Sequence, residues 1–114
     1  MYFKIAQSFS ETPGGRYKKE GPYSAEEFRD NFLVPLYLKC LALSEKLMLD
    51  FDGGYGYAPG FLEETFGGMI RLGYSATEMA TVIEFVSNEE PNLISNIASY
   101  ISDAEWVLND RNLN

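Results

Sequence analysis

Two aspartates at the end of a predicted strand have the spacing that most strongly suggests chemistry. Asp50 and Asp52 flank Phe51, and Gly53 and Gly54 follow them directly. Phosphoaspartyl phosphatases place such a pair at the end of a strand. One carboxylate attacks phosphorus, the other is the acid/base, and Mg²⁺ joins them. The pair therefore raises the hypothesis of Mg²⁺-dependent phosphotransfer.

The cations that such an enzyme needs are missing from the rest of the chain. A phosphatase of this kind has a lysine downstream of the pair, but Arg71 and Arg111 are the only cations after Asp52. We therefore expect no catalytic residue and no enzymatic activity. Two other interpretations stay open for Asp50 and Asp52. The favoured one is that they cap neighbouring loop amides, and the other is an adventitious Mg²⁺ site.

A glycine-rich loop, residues 53–60, runs from this pair into a predicted helix. Helix N-termini attract anions, but no Walker A sequence is present and the acidic first turn of the helix would repel a pyrophosphate. Tight turns that display tyrosines suit a protein interface better. The candidate partner-binding residues are Tyr55, Tyr57, Ala58, Gly60, Phe61, Glu63 and Glu64.

Composition excludes several classes of function. The 114 residues contain no histidine, so Ser-His-Asp catalysis and histidine-ligated zinc are excluded. The single Cys40 excludes an internal disulfide and is expected to be buried. A net charge of −8 argues against direct nucleic-acid binding. We predict no metal, no cofactor, no membrane span and a cytoplasmic location, because neither a signal peptide nor a long apolar stretch is present.

Strands and helices alternate along the chain, which predicts an α/β fold. The helix that begins at Ser24 should kink at Pro35 or restart there as a second segment. Strand 46–52 is apolar enough to be covered on both faces. The pair Gly67-Gly68 predicts a close approach of a helix to the sheet. The predicted strands are 2–9, 46–52 and 82–87, with a short edge strand at 16–19, and the predicted helices are 24–41, 61–72, a short turn from 75, and 91–108.

Four blocks of sequence resemble the STAS-like domain family of unknown function, which is related to the STAS domains of anti-sigma-factor antagonists. They are Thr12–Tyr17, Gly21–Arg29, Leu49–Gly53 and Phe61–Gly68. The last block, Phe-Leu-Glu-Glu-x-Phe-Gly-Gly, is the most specific, and the resemblance spans roughly residues 3 to 104. It implies a single domain, 1–114, with a small mixed sheet and helices packed mainly on one face.

The resemblance also implies a function. In antagonists of that type, a partner kinase binds a loop that carries a phosphorylatable serine just before a helix. This chain has Ala58-Pro59-Gly60 at the matching place. We therefore expect a regulatory module, monomeric or weakly dimeric, that lacks the usual phosphoacceptor and binds a histidine-kinase-like ATPase or another regulatory protein.

An acidic inhibitor is the alternative. A small acidic protein can occupy the basic nucleic-acid channel of a target. A phage or mobile element could encode such a protein against a bacterial defence complex of the CRISPR type. The candidate acidic surface consists of Asp50, Asp52, Glu89 and Glu90.

Overall fold

Three short parallel strands form the centre of the structure. It is a computed structural model that describes the backbone of residues 1–113 and the side chains of residues 1–111. The strands are β1 (Tyr2–Lys4), β2 (Leu47–Asp50) and β3 (Ile83–Val86), and β2 lies between the other two. The α/β prediction is confirmed, but the described sheet is wholly parallel rather than mixed, because a helical crossover joins each strand to the next.

Helices fill both crossovers and the C-terminal part of the chain. Two π turns, Arg29–Leu33 and Glu63–Gly67, each join two of these helices. The helices are α1 (Ile5–Ser8), α2 (Ala25–Phe28), α3 (Val34–Ala42), α4 (Pro59–Leu62), α5 (Gly68–Arg71), α6 (Ala76–Val82) and α7 (Asn92–Leu113).

Two predicted extended segments are helical instead. The strand predicted over 2–9 ends at Lys4, because the Ile5 carbonyl accepts from the amides of Phe9 and Ser10 and the chain turns into α1. The predicted edge strand 16–19 is wrong as well, since Lys18–Glu20 forms a 3₁₀ turn. In both places the hydrophobic alternation is weak, and local turn hydrogen bonds decide the conformation.

The predicted helix starts are confirmed where capping side chains mark them. The Ser24 hydroxyl accepts from the Glu27 amide at 3.0 Å, and Ser75 does the same for Glu78 at 3.2 Å. Near Pro35 the helix restarts as a second segment without a break in the backbone. The π turn ends at Leu33, α3 begins at Val34, and both residues have right-handed helical φ and ψ angles.

The helices cover one face of the sheet, as predicted. Phe3, Leu49 and Phe85 lie side by side on that face. Aromatic rings from the helices pack on them, for example Phe66 against Phe85 with ring centroids 5.5 Å apart. The prediction that β2 is covered on both faces is wrong. Met48, on the opposite face, is 37% exposed, because the crossovers pack on the other side of the sheet.

Candidate functional site

Asp50 and Asp52 hold together the backbone at the carboxyl end of β2. Asp50 accepts from the Asp52 amide at 2.9 Å and from the Tyr2 hydroxyl. Asp52 accepts from the Glu89 amide at 3.0 Å and from the amide and side chain of Asn88. The Glu89 amide, together with the Asn88 donors, lowers the pKa of Asp52. The favoured interpretation, that the pair caps loop amides, is confirmed.

This bonding pattern leaves the pair poorly placed for phosphotransfer. Asp50 is only 5% exposed, and both of its oxygens already accept hydrogen bonds. Lys4, on β1, is the cation near it, with 3.9 Å between Nζ and the carboxylate. Over the described residues, no three potential metal-ligating side chains come together. The two aspartates thus tie β2 to β1 and to the loop between β3 and α7.

Tyr55 projects from the loop that follows β2. Its side chain is 83% exposed, while its backbone amide donates to the Glu11 carbonyl at 2.9 Å. The turns on either side use positive φ angles, +90° at Gly53 and +119° at Gly56, which suit glycine. Glu89 accepts from the Gly53 amide at 3.1 Å. Backbone contacts therefore hold the loop in place and leave the aromatic ring in solvent.

Tyr57 points the opposite way, so the loop displays one tyrosine rather than two. Its ring lies 5.2 Å from that of Phe51 and 5.9 Å from that of Phe61. Its hydroxyl is buried without a hydrogen-bond partner among the described residues. Burial raises the pKa of Tyr57, and the nearby carboxylates of Asp50, Asp52 and Glu89 raise it further.

Glu64 faces the interior of the protein. It is only 8% exposed, and its carboxylate accepts from Arg29 Nη1 at 2.7 Å. The same nitrogen donates to the Glu64 backbone carbonyl at 3.1 Å, inside the π turn. Burial alone would lower the pKa of Arg29, but its hydrogen bonds to Asp30 and Glu64 raise it. This ion pair joins the first π turn, which follows α2, to the second π turn.

Glu63 forms a more open bridge on the same helical turn. Its carboxylate lies 2.6 Å from Arg16 and 2.8 Å from Arg71. Burial would raise the pKa of Glu63, but the hydrogen bonds from Arg71 and Arg16 outweigh burial and lower it. Arg16, in the loop before α2, is thus tied to the second π turn.

The glycine pair makes room for these two bridges. A Cβ on Gly68 would clash with the Arg29 guanidinium, and one on Gly67 would clash with the Glu63 carboxylate. The prediction that Gly67 and Gly68 allow close approach to the sheet is therefore corrected. They allow arginine and glutamate side chains to lie across the helix.

The predicted partner-binding residues divide between surface and core. Tyr55 and Ala58 are exposed, whereas Phe61 and Glu64 are buried and contact neighbouring helices. Tyr57, Gly60 and Glu63 are partly buried. Of the candidate acidic residues, Asp50, Asp52 and Glu89 accept hydrogen bonds within the chain. Glu89 and Glu90 are nevertheless exposed, so the exposed members of the two predicted sets are Tyr55, Ala58, Glu89 and Glu90.

Sequence reasoning missed one further feature, an apolar groove beside β3. It lies between α6, β3 and α7 and has a volume of about 250 Å³. Its sequence signal is weak, because the large apolar residues that line it resemble ordinary core positions, and Ala80 and Ala98 are small residues at exposed helix positions. The spacing of residues along the sequence does not show that α6 and α7 leave an open groove between them.

A family model described as a STAS-like domain of unknown function matches residues 24–93. The match includes β2, β3, the Arg29–Glu64 pair and the loop of Tyr55. Comparisons with curated proteins and with solved structures found no match. Among the helices that the structure describes, none has the length and apolar character needed to cross a membrane.

Proposed function

Because the chain belongs to the family of STAS-like domains of unknown function, we propose that it is a non-enzymatic module that binds a protein partner through Tyr55 and its loop. The observation that carries the proposal is the 83% exposure of the Tyr55 side chain on a loop held by its own backbone hydrogen bonds. The partner is a regulatory ATPase, the class that the resemblance to anti-sigma-factor antagonists implies.

An exposed tyrosine on a fixed loop is well suited to binding. Tyrosine brings a large contact area with few rotatable bonds, and tyrosines are common among the residues that dominate interface energies. Gly53 and Tyr55 are both hydrogen-bonded through their amides, which limits the loop entropy lost on association. The aspartate pair therefore supports binding indirectly, since it fixes the strand end from which the loop departs.

Phosphorylation does not release this partner at the usual place. Ala58-Pro59-Gly60 offers no hydroxyl before α4. Thr65, in the following π turn, is fully buried and donates its hydroxyl hydrogen to the Phe61 carbonyl at 2.8 Å. A complex formed through Tyr55 thus has no phosphoacceptor serine at residues 58–60 that could release it.

The test compares Tyr55→Ala with Leu43→Ala. Leu43 is also an exposed apolar residue, at the end of α3 and outside the loop. The partner is captured with the wild-type protein from source cells, identified by mass spectrometry, and titrated against both variants by calorimetry. Tyr55→Ala should weaken binding by at least about tenfold, as expected for a residue that dominates an interface. Leu43→Ala should bind like wild type. Unchanged affinity in a folded Tyr55→Ala variant would refute the proposed role of Tyr55 in binding.

The acidic inhibitor is the second candidate, and the distribution of charge favours it. Residues 72–110 contain seven acidic residues and no lysine or arginine. Against it, the carboxylates of Asp50, Asp52 and Glu89 accept hydrogen bonds within the chain. The same capture experiment separates the two candidates. Release of a nucleoprotein complex by moderate salt, and its displacement by added DNA, would favour the inhibitor.

A further inference from the structure

The apolar groove beside β3 has no role in the function proposed above. It lies between α6, β3 and α7, apart from the loop of Tyr55. Among its lining residues, Glu105 is the only charged one. The side chains that shape it include Ala80, Ile83, Phe85, Ile94, Ala98 and Ile101. Ala80 and Ala98 are exposed, so the groove opens to solvent.

The outer edge of β3 runs along this groove. β3 is an edge strand, with β2 on its inner side. The Val86 carbonyl accepts from the Phe51 amide at 2.9 Å, so Val86 faces β2. Because backbone groups alternate along a strand, the amide and carbonyl of Phe85 face outward. Over the described residues, neither the amide nor the carbonyl of Phe85 forms a backbone hydrogen bond with a turn or a loop. A free strand edge beside an apolar groove is the arrangement that accepts an added peptide strand.

Charge indicates which kind of peptide fits there. Glu84 projects from the open face of β3, in line with Met48 and Tyr2, and is exposed. On an added strand, residues alternate between the groove side and the side of Glu84. The elements around the groove belong to the segment 72–110, which has seven acidic residues and no basic one. A second copy of this chain would bring the same negative charge to the contact.

We propose that the edge of β3 binds an extended peptide segment of a partner protein whose residues alternate between aliphatic and basic. The aliphatic side chains occupy the groove, the basic ones lie beside Glu84, and the peptide backbone bonds to the outward amide and carbonyl of Phe85. This site is separate from Tyr55, so a partner can engage the two surfaces independently.

The test uses defined peptides and nuclear magnetic resonance. The probe is a seven-residue peptide with blocked ends in which lysine alternates with valine, titrated into ¹⁵N-labelled protein. Three matched peptides replace lysine by glutamate, replace valine by serine, or carry N-methyl groups on the backbone amides that face β3. The lysine–valine peptide should shift the amide signals of Phe85 and Ala98. Each altered peptide should bind at least about tenfold more weakly, because each removes one of the three proposed interactions.

Protein variants locate the same site from the other side. Ala98→Leu fills the groove, and Ser99→Leu makes a matched change at the next exposed position of α7, outside the groove lining. Ala98→Leu and Glu84→Lys should each weaken binding about tenfold, whereas Ser99→Leu and Tyr55→Ala should not change it. The proposal fails if the lysine–valine peptide does not bind, or if binding survives N-methylation or Ala98→Leu. It also fails if the protein self-associates and Ala98→Leu abolishes the association, since a second copy would then be the occupant.

Discussion

Neighbouring glycines in the second π turn and α5 provide a direct test of the bridge geometry. Gly67 and Gly68 are both helical, and a Cβ on either would clash with a side chain of an arginine–glutamate bridge. The bridges differ in burial. Arg29 and Glu64 have side chains that are 9% and 10% exposed, whereas those of Arg71 and Glu63 are 44% and 23% exposed. Gly68→Ala and Gly67→Ala should therefore have different effects on stability.

The expected magnitudes follow from two opposing effects. Alanine is more favourable than glycine inside a helix by about 1 kcal/mol, and both variants gain this. Breaking a buried ion pair costs roughly 3–5 kcal/mol, whereas an exposed pair contributes about 0.2–1 kcal/mol. Gly68→Ala should lower the free energy of unfolding by roughly 2–4 kcal/mol, the difference between those values. Gly67→Ala should leave it unchanged or raise it by up to about 1 kcal/mol, because the Glu63 and Arg71 side chains can move into solvent.

Urea unfolding followed by circular dichroism measures both values, with Glu64→Gln and the double variant Glu64→Gln/Gly68→Ala completing a thermodynamic cycle. If the cost of Gly68→Ala comes from displacing Arg29, it should be much smaller once Glu64 no longer carries a charge. Equal stabilities for Gly67→Ala and Gly68→Ala would refute the argument. A cost of Gly68→Ala that is unchanged in the Glu64→Gln background would also refute it.

Three further predictions concern the strand ends and the open sheet face. Tyr57→Phe removes a buried hydroxyl that has no partner among the described residues, and should raise the free energy of unfolding by about 1 kcal/mol in urea. Because the pKa of Tyr57 is raised in the folded state, the wild-type protein should also lose stability as the pH rises above about 10, and Tyr57→Phe should lose less. Asp52→Ala should be less stable than wild type at neutral pH. The pKa of Asp52 is lowered in the folded state, so its charge stabilises the fold at pH values above the ordinary carboxyl pKa. Thermal melts should therefore show the stability difference between wild type and Asp52→Ala shrinking as the pH falls through the pKa of folded Asp52. Met48→Lys, on the open face of the sheet, should change the free energy of unfolding by less than about 0.5 kcal/mol. Leu49→Ala, on the covered face, should lower it by roughly 2–5 kcal/mol. Similar losses for the two variants would contradict a sheet that is covered on one face only.

Sequence signals succeeded where they were local and strong. The apolar runs of β2 and β3, and the capping serines Ser24 and Ser75, lie where the pattern predicts them. They failed in residues 5–9 and 16–19, where the pattern is weak and hydrogen bonds within the turn decide the conformation. The two π turns were not predicted, because they differ from an α-helix in their i→i+5 hydrogen bonding, which the apolar spacing and the capping residues do not specify.

The candidate site was less predictable because its contacts join distant residues. Arg29 and Glu64 are 35 residues apart in sequence, and Asp52 and Glu89 are 37 apart. The spacing of Tyr55 and Tyr57 predicts two exposed rings. The backbone turns at Gly56, however, and the ring of Tyr57 packs on that of Phe51. Which tyrosine faces solvent depends on where Phe51 and Phe61 lie, and that follows from the tertiary packing of β2 against α4.

In the most specific part of the family resemblance, Phe61–Gly68, every residue except Glu63 is buried. Phe61, Glu64 and Phe66 are buried, and the two glycines accommodate the arginine bridges. These buried residues cannot contact a partner unless the helix moves. Such a movement would separate the buried Arg29–Glu64 ion pair, which is strongly destabilising. In the function and the further inference proposed above, the partner contacts lie outside that block, at Tyr55 on its loop and at the edge of β3. A domain arranged in this way can change its partner by substitutions at those surfaces while the buried block continues to hold the loop and the strand in position.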